Sequence, residues 1–462
     1  MYCAAIGATI ALLSGCATVS PDAGVGKVQT LIQGKTAGVD VSIGRAPTAH
    51  TQEAVDALLS KPLSQDAAVR IALLNNPGLH QSMATLGLSD ADRAQVGRLP
   101  SPTLALARMT EGDKVEIERV LKFDVIGLLT LPWRTQWAGR QSEMATLQAA
   151  QDVVRLAADT RKAWITAVAA NQTARYLRDA KEAAETGAEL ARSLTQVGNW
   201  SRLSQAREQV FVVEAIAQLA RAEQVAFSRR EQLTRLLGLG DRDGTATRFQ
   251  LPDRLPDLPT TAREVTDIEA QAIAQRLDVQ SAVQEASYVA DSQGFVKASG
   301  FINALDLSIT SNTVTDNATG TSEAKRGVGI ELPLPIFDWG QARNARAQSV
   351  YLQSVARVRE VGVRARSEAR EAHHSYRSAY DLARYYRDDV LPLHQLINDE
   401  MLLRYNGMIV SIFEVLADAR ANVVAVNASI NAQRDFWLAD TDLQTALSGT
   451  SPTMASTSGK SE

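Results

Sequence analysis

Cysteine is nearly missing from this 462-residue chain: there are two, Cys3 and Cys16, both close to the N-terminus. The body of the chain therefore has no disulfide framework. Aromatic residues make up only 5% of the composition, while Ala, Gln, Arg and Val abound. That bias suits long helices packed through small side chains better than one globular core. An excess of charge is lacking too, since 48 basic residues face 52 acidic ones for a net charge of −4. Nothing electrostatic points to nucleic acid as a partner. Beyond the first twenty positions there is no run of eighteen or more apolar residues, which excludes a transmembrane helix.

Catalytic patterns are missing as well. No Ser-His-Asp order, nucleophile elbow or paired-carboxylate signature emerges. The stretch GLGDRDG (238–244) imitates a phosphate or calcium loop. It follows a helical pattern rather than a strand, so it reads as a solvated linker. His373 and His374 are adjacent and point about 100° apart on a helix, whereas ligation from one face needs a spacing of three or four. His50, His80 and His394 stand alone. No metal, no cofactor and no enzymatic activity are expected.

What is present begins with AAIGATIALL (4–13), an apolar stretch of signal-peptide length that runs into Leu13-Ser14-Gly15-Cys16. These four residues resemble the bacterial lipobox. The resemblance implies a signal peptide over 1–15 and a lipidated segment over 16–60, with Cys16 carrying the acyl chains. Each buried methylene contributes about 0.8 kcal/mol, so several chains anchor far more firmly than one. Ala17 follows the cysteine, which implies sorting to the outer membrane. A basic n-region is missing from Met1-Tyr2-Cys3, so the true start is expected upstream.

The rest of the chain reads as one unit used twice. SLTQVGNWSRLSQAREQ (193–209) parallels LLRYNGMIVSIFEVLADAR (402–420), with Leu194 matched to Leu403 at a spacing of 209. ALLNNPGLHQSMATLGLSDADRAQ (72–95) parallels AIAQRLDVQSAVQEASYVADSQG (272–294), and LTLPWRTQWAGRQ (129–141) parallels LPLPIFDWGQARNA (332–345). Each half is expected to hold a helix, a hairpin, a very long helix, a short turn and a helix. The first spans 61–240, with its hairpin at about 101–132. The second spans 263–448, with its hairpin at about 301–335. A linker over 241–262 joins them, and 449–462 is expected to be a flexible tail.

In the second long helix, Val358, Gly362, Ala365, Ala369, Ala372, Tyr376, Ala379, Ala383, Tyr386, Val390, Leu393 and Ile397 step by fours and threes. That predicts a sustained heptad seam. Ala206, Val210, Val213, Ala217, Ala220, Gln224 and Phe227 carry the same spacing on a partner helix. The proline-free stretch from about 135 to 195 would reach roughly 90 Å as a helix.

The hairpins alternate. Val115, Ile117, Leu121, Phe123 and Val125 interleave with Glu116, Glu118, Lys122 and Asp124. Arg119 interrupts the apolar series. One face suits lipid and the other a wet lumen. Phe301, Leu305, Leu307 and Ile309, then Val328, Ile330, Leu332 and Leu334, repeat the pattern on either side of the polar loop TVTDNATGTSEAK (313–325). Trp133, Trp137, Phe337 and Trp339 lie just past these strands, where interfacial aromatics belong. Four strands are too few to close a barrel, and open edges in lipid are prohibitively costly. Three copies, a homotrimer, would supply twelve strands.

LPLPIFDWGQARNARAQ, YNGMIVSIFEVLADAR and the closing RDFWLADTDLQTALSG (434–449) resemble the TolC-like outer-membrane efflux protein family, in its lipoprotein branch. The resemblance covers about 60 to 448. It implies a mainly α fold: a trimeric twelve-stranded β-barrel in outer-membrane lipid, continued by a long α-helical coiled-coil tunnel in the periplasm. It implies a passive exit duct that docks to a periplasmic adaptor and an inner-membrane transporter. The matching docking tips are Val197, Gly198, Asn199 and Trp200, and Asn406, Gly407 and Met408. Tyr405 matches the tyrosine of the second turn and is the candidate gate residue. That turn departs from the family form, with its Gly one place early. Val410 stands where the family's gate arginine would be. The competing reading is a periplasmic coiled-coil structural lipoprotein without a pore.

Overall fold

The computed structural model describes residues 19–36, 38–39, 42–44, 46, 48–240, 249–299, 305–333 and 340–452. Cys16, Phe337 and Trp339 lie outside the described residues, as do 1–18 and 453–462. Two units interleave along the chain, one built from 1–27, 84–148 and 280–361, the other from 28–83, 149–279 and 362–462.

In the first unit, β1 (Thr103–Glu111), β2 (Lys114–Asp124), β3 (Asp306–Asp316) and β4 (Thr321–Glu331) form one antiparallel sheet in the order β1-β2-β3-β4. Gly112 (φ +57) and Gly320 (φ +70) occupy the two hairpin turns, where the left-handed conformation favours glycine. The first hairpin ends at Asp124, earlier than the expected 132. The apolar run after it, VIGLLTL, is helical rather than extended, and it opens a helix of 72 residues, Val125–Gln196. The cause is local. The Asp124 carboxylate accepts a 2.7 Å bond from the Gly127 amide, so the aspartate caps the helix start. A Cβ at Gly127 would collide with that carboxylate. Pro132, the eighth residue of this helix, lies past the first turn and removes the bond that an amide there would give to the Leu128 carbonyl.

The second unit holds the aliphatic and aromatic cores. Around Gln65–Asn75, Leu63, Ile71, Trp164, Val168, Leu233, Leu237 and Phe249 are buried together. The Trp164 indole donates to the Leu63 carbonyl at 2.7 Å, as a buried indole N–H must. The helix Arg202–Leu236 stops at Gly238, whose φ is +67. A Cβ there would strike the Asn75 backbone carbonyl, and Asn75 and Asn76 donate to the carbonyls of Leu236, Leu237 and Gly238. Gly238 of the glycine-rich stretch is thus a helix terminator, while 241–248 lie outside the described residues. The other half of the repeat meets the same need differently. Arg276, fully buried, binds Asp278 and Glu368 at 2.6 and 2.8 Å, and the Leu277 amide donates to the Gly449 carbonyl. Thr450 and Ser451 are buried, with Ser451 bonded to Glu368. The segment expected to be a loose tail from 449 therefore packs through at least Ser451.

A buried ionic group sits nearby. Arg161 donates to the Thr36 carbonyl, and Arg263 approaches Asp440 at 3.5 Å. Burial pushes the Asp440 carboxyl above its ordinary range, against the pull of Arg263, Arg161 and the Gln444 amide.

The heptad seam holds in part. Ala365, Ala369, Ala372, Tyr376 and Ala383 are buried in the helix Gln341–Tyr385. A single π-helical turn, Tyr386–Val390, then precedes the helix Leu391–Asn406. Such a turn accommodates one extra residue in a helix. After it, the expected Leu393 and Ile397 are exposed, and the half-covered positions become His394 and Asn398. The seam written for the helix Arg202–Leu236 is also displaced. Glu208, Val212 and Ala215 are buried there, whereas Val210, Val213 and Phe227 are exposed.

Candidate functional site

The sheet sorts its residues by face. Strand register aligns Leu104, Leu121, Ile309 and Val328 in one cross-strand row, and Phe123, Leu307 and Ile330 in the next row on the same face. The opposite face carries Glu116, Glu118, Lys122, Asp124, Glu323, Lys325 and Glu331. There Lys122 pairs with Glu331 at 2.6 Å, and the Asn312 amide donates to Glu116 at 2.9 Å. One face is therefore charged and cross-linked, and part of the other is wholly apolar. Both outer strands, β1 and β4, have one edge unpaired among the described residues. Trp133 and Trp137 do not flank the strands directly. They lie nine and thirteen residues into the helix that begins at Val125, with Trp133 half exposed.

The two turns of the second unit share one design. At the first, the Asn199 amide donates to Leu194 and the Gly198 amide to Thr195, with Gly198 at φ +82. At the second, the Ile409 amide donates to Arg404 and the Met408 amide to Tyr405. These paired bonds satisfy the last helical carbonyls, and they require a left-handed residue just past the helix end. In the second turn that residue is Met408, at φ +59. Gly407 has φ −80 and is not the left-handed position. Ser201 and Ser411 then cap the returning helices. Gly198 corresponds to Met408 and Ser201 to Ser411, a spacing of 210. The alignment of Leu194 with Leu403 is one residue out of register here, and Gly198 and Gly407 are not equivalent.

Side chains at the tips also differ from expectation. Trp200 is partly covered because it stacks on Phe413, with ring centroids 4.0 Å apart and planes 11° apart. Val197, Met408 and Ile409 are exposed, Met408 to 94%. Asn199, Asn406 and Gly407 are exposed as well, and Tyr405 lies at the exposed end of its helix. Sequence reading missed Phe413 as a tip residue; its place two residues after a Ser-initiated helix start was the available signal. Among the described residues, no group of three His, Cys, Asp or Glu could hold a metal ion.

No protein-family model matches the chain, and no curated protein matches it in sequence. Solved structures do. A membrane protein from Pseudomonas aeruginosa is 18% identical with a TM-score of 0.68, the match covering 83% of this chain and 93% of that one. The outer membrane protein VceC from Vibrio cholerae is 17% identical with a TM-score of 0.67, covering 84% and 96%. The CmeC outer membrane channel of Campylobacter jejuni is 17% identical with a TM-score of 0.63, covering 89% and 90%. The chain thus has the fold of the outer-membrane channel proteins. It is the fold that the resemblance to TolC-like outer-membrane factors implied.

Proposed function

We propose that the chain is one protomer of a trimeric outer-membrane channel, the passive exit duct of a tripartite efflux or secretion system. The observation that carries this reading is the four-stranded sheet with one face apolar over two cross-strand rows, one charged face and two edges unpaired among the described residues. Such a sheet is incomplete alone in lipid, and three copies closing edge to edge make twelve strands. The exposed stripe Val210, Val213 and Phe227 supports the same reading, since it offers a second apolar face to a neighbouring copy. The exposed Val197, Met408 and Ile409 at the tips suit contact with a periplasmic adaptor, which in turn would link an inner-membrane transporter. Tyr405 remains the gate candidate by position. Cys16 is the lipid attachment point by its lipobox resemblance, with 1–15 as the signal peptide and the outer membrane as the destination. Single-channel recording in planar bilayers, paired with chemical cross-linking, tests the proposal. A discrete conductance from cross-linkable trimers is expected. A monomer without conductance would favour the pore-less structural lipoprotein.

A further inference from the structure

The charged residues of the sheet are segregated by type as well as by face. Every acidic side chain of β1–β4 lies on the charged face, together with all three lysines, Lys114, Lys122 and Lys325. The face that carries the apolar rows has no acidic residue, and its charged residues are all arginines: Arg108, Arg119 and Arg326. Register brings them together. Arg119 and Arg326 flank Ser311 in one cross-strand row, and Arg108 lies one row further toward the hairpin tips. Neighbouring strands are about 4.8 Å apart and diagonal pairs about 7–8 Å, so Arg108 and Arg119 are diagonal neighbours, Arg326 lies two strand spacings from Arg119, and the three backbones span about 14 Å across the sheet, within reach of long side chains. All three are exposed, and Arg119 donates to the Thr313 hydroxyl at 3.1 Å.

Their depth is as informative as their clustering. Two wholly apolar rows, at Leu121 and Phe123, lie between this patch and the strand ends. The helix beyond exposes further apolar side chains at Leu128, Leu129 and Trp133. From Trp133 back to Arg119 the chain comprises nine helical residues and five strand residues. At about 1.5 and 3.4 Å per residue, that is about 30 Å of path, close to the height of a barrel's lipid-facing band. Arginine facing hydrocarbon at mid-depth is strongly unfavourable. A patch at the far edge of the band, on the hairpin-tip side, avoids that penalty and meets headgroups instead. Arginine rather than lysine at all three positions matches the forked geometry that phosphate oxygens reward.

Resting on the barrel reading above, we infer that Arg108, Arg119 and Arg326 form a binding patch for the phosphates of an outer-leaflet lipid headgroup. The test uses purified trimers in mild detergent and native mass spectrometry. The probes are bisphosphorylated lipid A, the same lipid with its phosphates removed, and inorganic phosphate. Wild-type trimers should retain the bisphosphorylated lipid. The combined Arg108→Gln, Arg119→Gln and Arg326→Gln variant should lose at least about tenfold in retention, and the matching triple Lys variant should fall between. Arg326→Gln alone gives a milder variant should the triple fail to fold. Equal retention by wild type and either Gln variant, or full competition by inorganic phosphate, would overturn the inference. A control separates it from the reading beneath: Leu121→Trp fluorescence in vesicles of brominated lipid. Quenching with unchanged lipid A retention removes the patch alone. No quenching removes the barrel face and the patch with it.

Discussion

Replacing Met408 by glycine should stabilise the second tip, although it deletes a large side chain. Met408 holds a left-handed backbone, φ +59, which costs a residue with a Cβ about 1–2 kcal/mol. Glycine removes that cost but returns roughly 0.5–1 kcal/mol through its greater freedom in the open state. The methionine is 94% exposed, so almost no burial is lost. The net gain is roughly 0.5–1 kcal/mol, a two- to fivefold rise in amide protection at the turn. Hydrogen exchange on peptides covering 403–411 and 193–201 reads it directly, since the Met408 and Ile409 amides close this turn. The first tip provides the opposite sign, because Gly198→Ala places a Cβ at φ +82 and should lose roughly 1–2 kcal/mol. Gly407→Ala should shift exchange by less than about 0.5 kcal/mol, for its added Cβ meets nothing nearer than 3.5 Å. Faster exchange in Met408→Gly, or unchanged exchange in Gly198→Ala, would refute the reasoning. If Met408 is kept for adaptor contact despite its strain, Met408→Gly should also weaken adaptor cross-linking while tightening the turn.

Other expectations follow from the same structure. Leu121→Arg should reduce trimer yield at roughly 1–2 kcal/mol, since one row inside the arginine patch lies between interface and midplane, whereas Glu118→Arg on the charged face should not. Equal yields in a heat-resistance gel assay would show that the strand is not in lipid. Cys16→Ser should abolish labelled palmitate incorporation, and label retained in that variant would remove the lipobox assignment. Asp440 has a folded-state pKa raised by burial, so its ionised form destabilises the native state. The destabilisation is absent below the unfolded value, grows as pH rises toward the folded value, and persists above it. Asp440→Asn should therefore gain thermal midpoint relative to wild type as pH is raised from 4 to 7.5. A difference that is flat or shrinks with pH would contradict that account.

Alternation and turn residues made the hairpins legible, because period-two patterning reports a sheet with two unlike faces. The boundary at Asp124 was less so. VIGLLTL looks extended by composition, while the Asp124 carboxylate bond to Gly127 favours a helix start there. The second tip hid its register for a related reason. Its glycine drew the alignment, yet the left-handed position belongs to a methionine, and strain of that kind has no composition. The arginine patch needed strand register, since Arg108, Arg119 and Arg326 come from three strands. A seam read at strict heptad spacing also cannot anticipate a wide turn, and Leu393 and Ile397 were misassigned on that account.

That wide turn at Tyr386–Val390 acts as a clocking device. One added residue advances a helix by about 100°, so everything after Val390 is rotated by more than a quarter turn against the seam before it. Leu393 and Leu396 are turned outward as a result, and Met408 inherits its azimuth from the same slip. Deleting a single residue within 386–390 would restore an unbroken helix while aiming the tip at a different neighbour. The bearing of the second tip is therefore set some twenty residues upstream of it, by the count of residues in one turn.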